Sequence, residues 1–279
     1  MGTMSARTVV ITGPTSGIGK EIARGLARLG APLVLGCRDT AAGERAAAEL
    51  AREPGAGPLE VLPVDVASPA SIQEFAGRVV AAHPRVHVLV NNAAVSRGTN
   101  PWSKSAEGIE ITFATNVLGY YRVIQALLPA LTAAAPARVV NVASTFASDL
   151  DLDDLQFEQR PFESFKAYAQ SKACDRMLTW AQARRIDGSG VTANAMTPGL
   201  ITETGLYRNA PKELVARLRQ YSGGRTSAQG AETAVWLASS PELEGVSGKF
   251  YEDREELPCE FRNEEAEEKL WSICEGLVN

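Results

Sequence analysis

Residues 8–19 read T-V-V-I-T-G-P-T-S-G-I-G, and a helical run follows from residue 20 to residue 29. The apolar, β-branched start predicts a short buried strand, and the glycines predict a turn into the helix. Glycines let a backbone approach a pyrophosphate, while a helix N-terminus presents free N–H groups and a positive dipole end. The spacing is G-x-x-x-G-x-G rather than G-x-G-x-x-G. Taken alone, the stretch therefore fits a dinucleotide-binding loop or a tight turn without a ligand.

Six further apolar runs predict strands that alternate with helical patterns. They are residues 33–37, 60–63, 86–90, 138–143, 192–196 and, as a candidate seventh strand, 249–251. This alternation predicts an α/β fold: a single Rossmann-type, doubly wound parallel sheet of about seven strands with helices on both faces. The strands end in small or polar residues, so we expect one site along their carboxyl ends. No linker divides residues 4–279, which we expect to form a single domain with a C-terminal extension at about 252–279.

Composition excludes several classes of function. The net charge of −5 gives no reason to propose nucleic-acid binding. We see no apolar run long enough to span a membrane and no signal segment, so we expect a cytoplasmic protein without a membrane span. The four cysteines are widely spaced and there are only two histidines, so neither a disulfide framework nor a metal site is expected.

Residues 168–172 read Y-A-Q-S-K within a helix-favouring run from 164 to 185. A Tyr and a Lys four positions apart lie on one face of a helix. A free phenol, with a pKa near ~10, is too weak an acid to exchange protons readily at neutral pH, and a nearby ammonium favours the phenolate. An isolated pair of this kind is more often a surface Tyr with a solvated Lys. The predicted site at the sheet edge reverses that preference here, and Tyr168 becomes a candidate acid/base.

Arg38 follows the second predicted strand, at the point where this architecture meets an adenosine ribose. An acidic group there would accept from a 2′-hydroxyl, whereas an arginine suits a 2′-phosphate. Residues 36 and 37 carry no carboxylate, although Asp39 comes directly after Arg38. The sequence therefore predicts NADP rather than NAD. The alternative is an arginine that stacks on the adenine ring without discriminating between the two cofactors.

Together these motifs resemble the short-chain dehydrogenase/reductase family, from residue 8 to about residue 251. The resemblance rests on residues 12–19, N-N-A-A at 91–94, Asn116, Ser144, Y-A-Q-S-K at 168–172 and P-G at 198–199. It implies that Tyr168 donates or accepts a proton and that Ser144 hydrogen-bonds the reacting oxygen. Lys172 would lower the pKa of Tyr168 and hold the nicotinamide ribose, with Asn116 supporting Lys172 through a water.

The resemblance also implies a set of residues that would hold NADP(H). Asp65 would meet the adenine amino group, Asn91 would flank the ribose, and Pro198-Gly199 would lie by the carboxamide. The implied cofactor residues are Gly13, Thr15, Ser16, Gly17, Ile18, Gly19, Arg38, Asp65, Val66, Asn92, Ala93, Tyr168, Lys172, Pro198, Gly199, Ile201 and Thr204. Pro14 departs from the family pattern, because it removes one backbone N–H from the glycine loop and so one phosphate contact.

Two features resemble the retinol-dehydrogenase-like and protochlorophyllide-reductase-like branch. Ser144 and Tyr168 are 24 positions apart, more than in the commonest members, and a helical tail follows residue 251. The resemblance implies NADP and lipophilic carbonyls or alcohols. The chain shows no counterpart of the membrane anchor of the animal retinol enzymes, so membrane association is not expected. The reactive-cysteine pattern of the light-dependent reductases is not evident either.

The leading interpretation is an NADP-dependent oxidoreductase that transfers a hydride between nicotinamide and a hydrophobic ketone, aldehyde or alcohol. A second is a biosynthetic enzyme of the same fold that runs dehydration, epimerisation or rearrangement on natural-product intermediates. A third, an NADP-sensing regulator, fits less well because a sensor does not need Ser144, Tyr168 and Lys172 together.

The expected substrate pocket lies between residues 96–103, 146–165 and 200–221. These segments carry the apolar side chains Trp102, Phe146, Leu150, Leu152, Leu155, Phe157, Leu206 and Tyr207, with Arg160, Lys166 and Arg208 at the margins. Each apolar residue could equally belong to the local core. In the tail, Ala266, Leu270, Ile273 and Leu277 follow helical spacing, so we expect the tail to dock by an apolar face. A tail docked there favours a monomer or homodimer.

Overall fold

A single eight-stranded sheet forms the centre of the protein, in the order β3-β2-β1-β4-β5-β6-β7-β8. The computed structural model describes residues 4–96, 98, 101–202, 205–207, 210–220 and 223–278. The strands are β1 Val9–Thr12, β2 Leu33–Cys37, β3 Leu59–Pro63, β4 Val88–Asn91, β5 Ala137–Val142, β6 Val191–Met196, β7 Phe250–Glu252 and β8 Glu255–Glu256. All neighbours are parallel except β7 and β8. The strand order reverses between β1 and β4, which is where ligands bind in such sheets.

Helices cover both faces of the sheet. They are α1 Gly17–Arg28, α2 Thr40–Leu50, α3 Pro69–Ala82, α4 Ile111–Phe113, α5 Gly119–Ala134, α6 Ser164–Arg185, α7 Lys212–Gln220, α8 Ser227–Ser239 and α9 Glu264–Gly276, with a π-helical turn at Ala114–Leu118 between α4 and α5. One apolar core lies between the sheet and α1, α2 and α8. A second lies on the opposite face, under α3 and α5. The predicted doubly wound α/β fold is confirmed.

The structure adds an eighth strand to the seven that were predicted. Glu255 and Glu256 pair antiparallel with β7 through a two-residue turn at Asp253 and Arg254. Both turn residues have positive φ, 51° and 66°, as a type I′ hairpin turn requires. Two glutamates carry no apolar alternation, so the sequence pattern could not indicate this strand.

Side-chain caps fix where several helices begin. Asp39 accepts a hydrogen bond from the backbone N–H of Ala42 at the start of α2, and Ser68 accepts one from Ser71 at the start of α3. Such caps satisfy N–H groups that have no partner within the helix. The helix predicted at 164–185 is confirmed to the residue as α6.

The segment Ile111–Ala134 is long and apolar enough, by length and composition, to cross a membrane. The expectation that the sequence holds no such run is therefore wrong. In the folded protein, 67% of the apolar stretch within this segment is buried. Its apolar residues pack against the sheet and α3, as in the core helix of a globular domain.

The tail helix α9 packs against α6 by an apolar face, as predicted. Leu270 and Cys274 are fully buried in the core shared with α6, and Ala266, Ile273 and Leu277 are partly buried against it. The ring of Trp271 meets that of Tyr121 edge to face at 4.9 Å. On the polar side, Arg184 and Arg185 pair with Glu267 and Glu268, and these contacts hold the pKa of Glu268 at about 2. The tail therefore covers one side of the helix that carries Tyr168.

Candidate active site

The loop between β1 and α1 has no room for side chains at Gly13 and Gly19. Gly13 and Gly17 have positive φ, 69° and 55°, which other residues rarely adopt. A Cβ on Gly19 would lie 2.2 Å from the carbonyl oxygen of Gly13, so a side chain there is excluded. Ser16 precedes α1 in an extended conformation, and its side chain makes no capping hydrogen bond. The first N–H groups of α1 therefore remain available to an anion, as a dinucleotide pyrophosphate requires.

The turn after β4 packs directly on this loop. The side-chain amide of Asn92 donates to the carbonyl oxygens of Thr12 and Gly13, each at 3.0 Å. The backbone N–H groups of Asn92 and Ala93 both donate to the hydroxyl of Thr12. A Cβ on Gly13 would lie 2.9 Å from the Cα of Ala93. The two implied binding segments, at 13–19 and 92–93, are thus joined at the topological switch point of the sheet.

The side chain of Asn91 makes its hydrogen bond inside the sheet. Asn91 is fully buried, and its amide nitrogen donates to the side-chain oxygen of Asn141 on β5 at 2.9 Å. The amide of Asn141 in turn donates to Thr179 of α6. This side chain therefore joins β4 and β5 inside the molecule, and the place of Asn91 beside the cofactor ribose stays a prediction.

Arg38 extends into solvent at the end of β2, and its guanidinium makes no hydrogen bond or ion pair with the residues that the structure describes. One carboxylate oxygen of Asp39 accepts the hydrogen bond that caps α2. Asp65 is partly buried after β3, with one carboxylate oxygen held by the backbone N–H of Ala67 at 3.0 Å, and Val66 beside it is buried. Arg38 thus presents a cation at this edge that has no ion-pair partner among the described residues.

Asn116 lies in the π-helical turn and is fully buried. Its side chain accepts from the N–H of Val95 at 2.8 Å and donates to the carbonyl of Val95 at 3.0 Å and the hydroxyl of Ser171 at 2.9 Å. The side chain therefore clamps the segment after β4 onto α6. Asn116 bonds Ser171, the residue directly before Lys172, and makes no direct hydrogen bond to Lys172.

Lys172 is buried, so the interpretation of a solvated lysine is wrong. Only 2% of its surface is exposed. Its ammonium donates to the carbonyl oxygen of Val142, at the end of β5, at 3.0 Å and to the carboxylate of Asp175 at 2.7 Å. The same nitrogen lies 5.8 Å from the ring centre of Tyr168 and 5.2 Å from that of Tyr120. A fixed cation therefore stands next to a half-buried tyrosine at the sheet edge.

Asp175 is the buried counter-charge of Lys172. Burial raises the pKa of its carboxyl to about 6, and the ammonium of Lys172 opposes part of that rise. Burial also places the pKa of the neighbouring Tyr120 hydroxyl well above its usual range. Asp175 and Tyr120 line a cavity of about 10 Å³, close to the space of one water, behind Lys172.

Ser144 lies two residues after the end of β5, next to the helix that carries Tyr168. Its hydroxyl accepts a hydrogen bond from the N–H of Phe146 at 3.0 Å. The ring of Phe146 stacks with that of Tyr168, with centres 6.3 Å apart and planes 23° apart. Phe146 is 55% exposed, which is unusual for a large apolar side chain. An apolar surface therefore borders the hydroxyl groups of Ser144 and Tyr168.

The turn after β6 is fixed by Arg225. The guanidinium of Arg225 donates to the carbonyl of Pro198, and its backbone N–H donates to the carbonyl of Leu200. Gly199 has a φ of 72°, and the side chain of Ile201 is buried, where it packs on Gly230. Pro198-Gly199 thus lies at the carboxyl end of β6, as expected. Thr204 lies outside the described residues.

The segment 146–163 divides into core and exposed residues. Leu155 and Phe157 are buried, and Leu150 and Leu152 pack on the α6 core, so these four belong to the local core. Phe146 and Trp102 remain exposed. Gln170, two residues after Tyr168, accepts from the N–H of Asp151 and donates to the carbonyl of Leu155. Of the other pocket positions, Arg208 lies outside the described residues.

Sequence reasoning missed three residues of α6 that support the site: Gln170, Asp175 and Arg176. From Ala167 to Gln182 nearly every residue of α6 is buried. Polar side chains in such a helix must find partners, because an unpaired buried polar group is costly. The signal was available in part, since Asp175 stands three residues after Lys172 and i,i+3 pairs meet on a helix surface. The partners of Gln170 and Arg176 lie far away in sequence and could not be predicted.

Comparisons with known proteins agree with this geometry. The family model described as short chain dehydrogenase matches residues 7–214. Human retinol dehydrogenase 14 is 38% identical over 99% of this chain and 88% of its own length. A solved structure of an uncharacterized protein from Mycobacterium paratuberculosis has a TM-score of 0.78 at 29% identity, covering 100% of this chain and 95% of that one. The Pseudomonas aeruginosa RhlG/NADP active-site complex has a TM-score of 0.72 at 29% identity, with 89% and 94% covered.

A doubly wound sheet with a glycine loop at its switch point and a buried Lys beside a Tyr defines a nicotinamide-dependent oxidoreductase of CH–OH and C=O groups. The chain belongs to the short-chain dehydrogenase/reductase family, in its retinol-dehydrogenase-like branch.

Proposed function

We propose that the protein is an NADP-dependent oxidoreductase that interconverts a hydrophobic ketone or aldehyde and its alcohol, with Tyr168 as the general acid/base. The observation that carries the proposal is the burial of Lys172 one helical turn after Tyr168, where its ammonium is held by Val142 and Asp175. An isolated surface pair would not be anchored in this way. The glycine loop at 13–19 and the free Arg38 fit the cofactor.

Each residue of the site has a distinct part in the proposed reaction. When bound, the nicotinamide supplies or accepts the hydride. The hydroxyl of Tyr168 donates its proton to the carbonyl oxygen of the substrate, or removes one from the alcohol in the reverse direction. The ammonium of Lys172 favours the phenolate form of Tyr168. The hydroxyl of Ser144 hydrogen-bonds the same substrate oxygen and so holds it against Tyr168.

The choice of NADP rests on Arg38. We expect Arg38→Ala to weaken NADPH binding by roughly 10- to 100-fold and to leave NADH binding nearly unchanged, because a hydrogen bond to a charged group contributes about 1.5–3 kcal/mol. Fluorescence titration of both cofactors measures this effect. Arg45→Ala, which removes an exposed arginine from α2, is the matched control and should change neither affinity. Equal affinity of the native protein for the two cofactors would contradict the proposal.

The substrate class rests on the apolar surroundings of the two hydroxyl groups. Phe146 is exposed beside Tyr168, and Leu200 is exposed on the turn after β6. Trp102 is exposed too, and its indole N–H donates to the carbonyl of Gln156. The relatives named retinol dehydrogenase point in the same direction, since retinol is a lipophilic alcohol. A single hydrogen-bonding pair with apolar surroundings suits a molecule that is apolar apart from one carbonyl.

Competing substrates test this assignment. We expect a higher kcat/KM with NADPH for a long-chain or polycyclic ketone than for a hydroxylated sugar of similar size. Phe146→Ser should reduce the ratio of the two kcat/KM values. Val80→Ser, at an exposed position on α3, should leave that ratio unchanged. Product mass recorded beside cofactor absorbance identifies the chemistry. Product formation without net cofactor turnover would favour dehydration, epimerisation or rearrangement, and a preference for the sugar would overturn the substrate class.

A further inference from the structure

A buried arginine on α6 holds the backbone at Ser144. Arg176 is 5% exposed, and its Nε donates to the carbonyl oxygen of Ser144 at 3.0 Å. A second nitrogen of the same guanidinium, Nη2, donates to that oxygen as well. Within the part of the chain that the structure describes, no carboxylate forms an ion pair with Arg176. Two nitrogens of its guanidinium, Nε and Nη2, therefore donate to one peptide carbonyl of the active site.

Residues of β7 and of the C-terminal extension also contact the guanidinium of Arg176. Its central carbon lies 4.2 Å from the ring centre of Phe250 on β7 and 5.6 Å from that of Phe261. Nη1 approaches the sulfur of Cys259 at 3.8 Å. Aromatic faces and a polarisable sulfur suit a guanidinium, which is weakly hydrated and planar. Residues 259–261, which belong to the C-terminal extension, therefore fix the orientation of Arg176.

The peptide that follows Ser144 is also held on its N–H side. The backbone N–H of Thr145 donates to the hydroxyl of Thr197 at 3.1 Å, and the same hydroxyl accepts from the N–H of Gly199 at 3.3 Å. Arg176 on the carbonyl and Thr197 on the N–H fix the plane of this peptide. This peptide is attached to the Cα of Ser144, so holding it in place restrains the backbone that carries the Ser144 hydroxyl.

We propose that Arg176 is a positioning residue for Ser144, and that residues 259–261 of the C-terminal extension maintain the active site through it. The inference rests on the proposed function, in which the Ser144 hydroxyl holds the reacting oxygen. Arg176 is buried, and in this proposal it acts on the substrate only through Ser144. Its loss displaces the Ser144 hydroxyl, so the reacting oxygen is held less well against Tyr168 while cofactor binding persists.

A double-mutant cycle with Ser144 tests the proposal. Arg176→Met should lower kcat by roughly 10- to 100-fold, the scale of a displacement of about 1 Å, with the Kd for NADPH unchanged within about twofold. In a Ser144→Ala background, the same substitution should cost less than about twofold, because the group that it positions is already absent. Single-turnover measurements with enzyme in excess give the slow rates. Arg185→Met, which removes another α6 arginine packed on an aromatic ring at 4.1 Å, is the matched control and should leave kcat unchanged.

Further variants test the proposal even if Arg176→Met does not fold. They also distinguish the positioning role of Arg176 from the proposed function. If Arg176→Met does not give a native circular dichroism spectrum, Phe261→Leu replaces it, and it should lower kcat in the native background but not with Ser144→Ala. Arg176→Lys, which keeps the charge but has a single donor nitrogen, should recover part of the lost kcat. If Arg176→Met or Phe261→Leu lowers kcat equally in the native and Ser144→Ala backgrounds, Arg176 does not position Ser144. That result would leave the proposed function intact. Failure of the proposed function would instead be seen as near-native turnover of Tyr168→Phe.

Discussion

Tyr168→Phe is expected to lower kcat by ~10²–10⁴-fold, the usual contribution of a general acid or base. Only the hydroxyl is lost, and the ring remains to stack with Phe146 at 6.3 Å. Binding of NADPH should therefore persist, with an affinity close to that of the native protein. Stopped-flow measurement of cofactor oxidation, together with cofactor titration, separates the chemical step from binding.

Tyr121→Phe is the matched control for this substitution. Tyr121 lies on α5, and its ring packs edge to face on Trp271. Removing its hydroxyl should change kcat less than about twofold, since it lies outside the proposed reaction. A Tyr168→Phe variant with a near-native rate would refute the acid/base assignment. So would an equal loss of rate in both variants.

Lys172→Met is expected to abolish turnover and also to destabilise the fold by about 3–5 kcal/mol, the usual cost of removing one partner of a buried ion pair. The remaining carboxyl of Asp175 would be fully buried with no opposing cation. Affinity for NADPH should fall as well, because the ribose would lose a donor. Urea unfolding and cofactor titration measure these effects separately.

The loss of stability in Lys172→Met should depend on pH in a defined direction. In the native protein the pKa of Asp175 is raised from 3.8 to about 6, so this group favours the folded state below pH ~4 and that stabilisation is lost as pH rises through 6. Without Lys172 the pKa of Asp175 rises further, so the variant continues to lose unfolding free energy up to a higher pH. The difference in unfolding free energy between variant and native protein should therefore be constant below about pH 6 and grow above it.

A second substitution separates stability from chemistry in this variant. Lys172→Met/Asp175→Leu removes both charges and should recover most of the unfolding free energy at pH 8, since replacing a buried pair by apolar side chains is often neutral or stabilising. Turnover should stay abolished, because the cation beside Tyr168 is still absent. A stability difference that shrinks as pH rises would contradict the role of Asp175 as the buried counter-charge.

Much of the architecture follows from the sequence because it depends on local pattern. The apolar runs at 33–37 and 138–143 and the glycine loop at 13–19 specify buried strands and a strand-to-helix turn. Helix α6 was predicted at its observed limits because helix-forming residues fill it without interruption. The proximity of Tyr168 and Lys172 also follows from spacing alone, since a helix brings i and i+4 side chains together.

Other features depend on which surfaces meet, and local pattern does not encode that. The identity of Asn91 could not indicate that its side chain bonds Asn141 on the neighbouring strand. Likewise, Leu155 and Phe157 could line a pocket or a core, and only the packing of their segment on α6 places them in the core. Two glutamates form β8 because a tight turn at residues 253–254 brings them beside β7.

The site shows the same division. The sequence by itself determined the sheet, the glycine loop and the identity of the Tyr, Lys and Ser that face one edge of it. Only the tertiary structure showed that Lys172 is buried against Val142 and Asp175, and that Arg176 reaches the Ser144 carbonyl across 32 residues of chain. The physical reason is that α6 is buried on nearly all sides, so its polar side chains must bond whatever the rest of the fold places next to them.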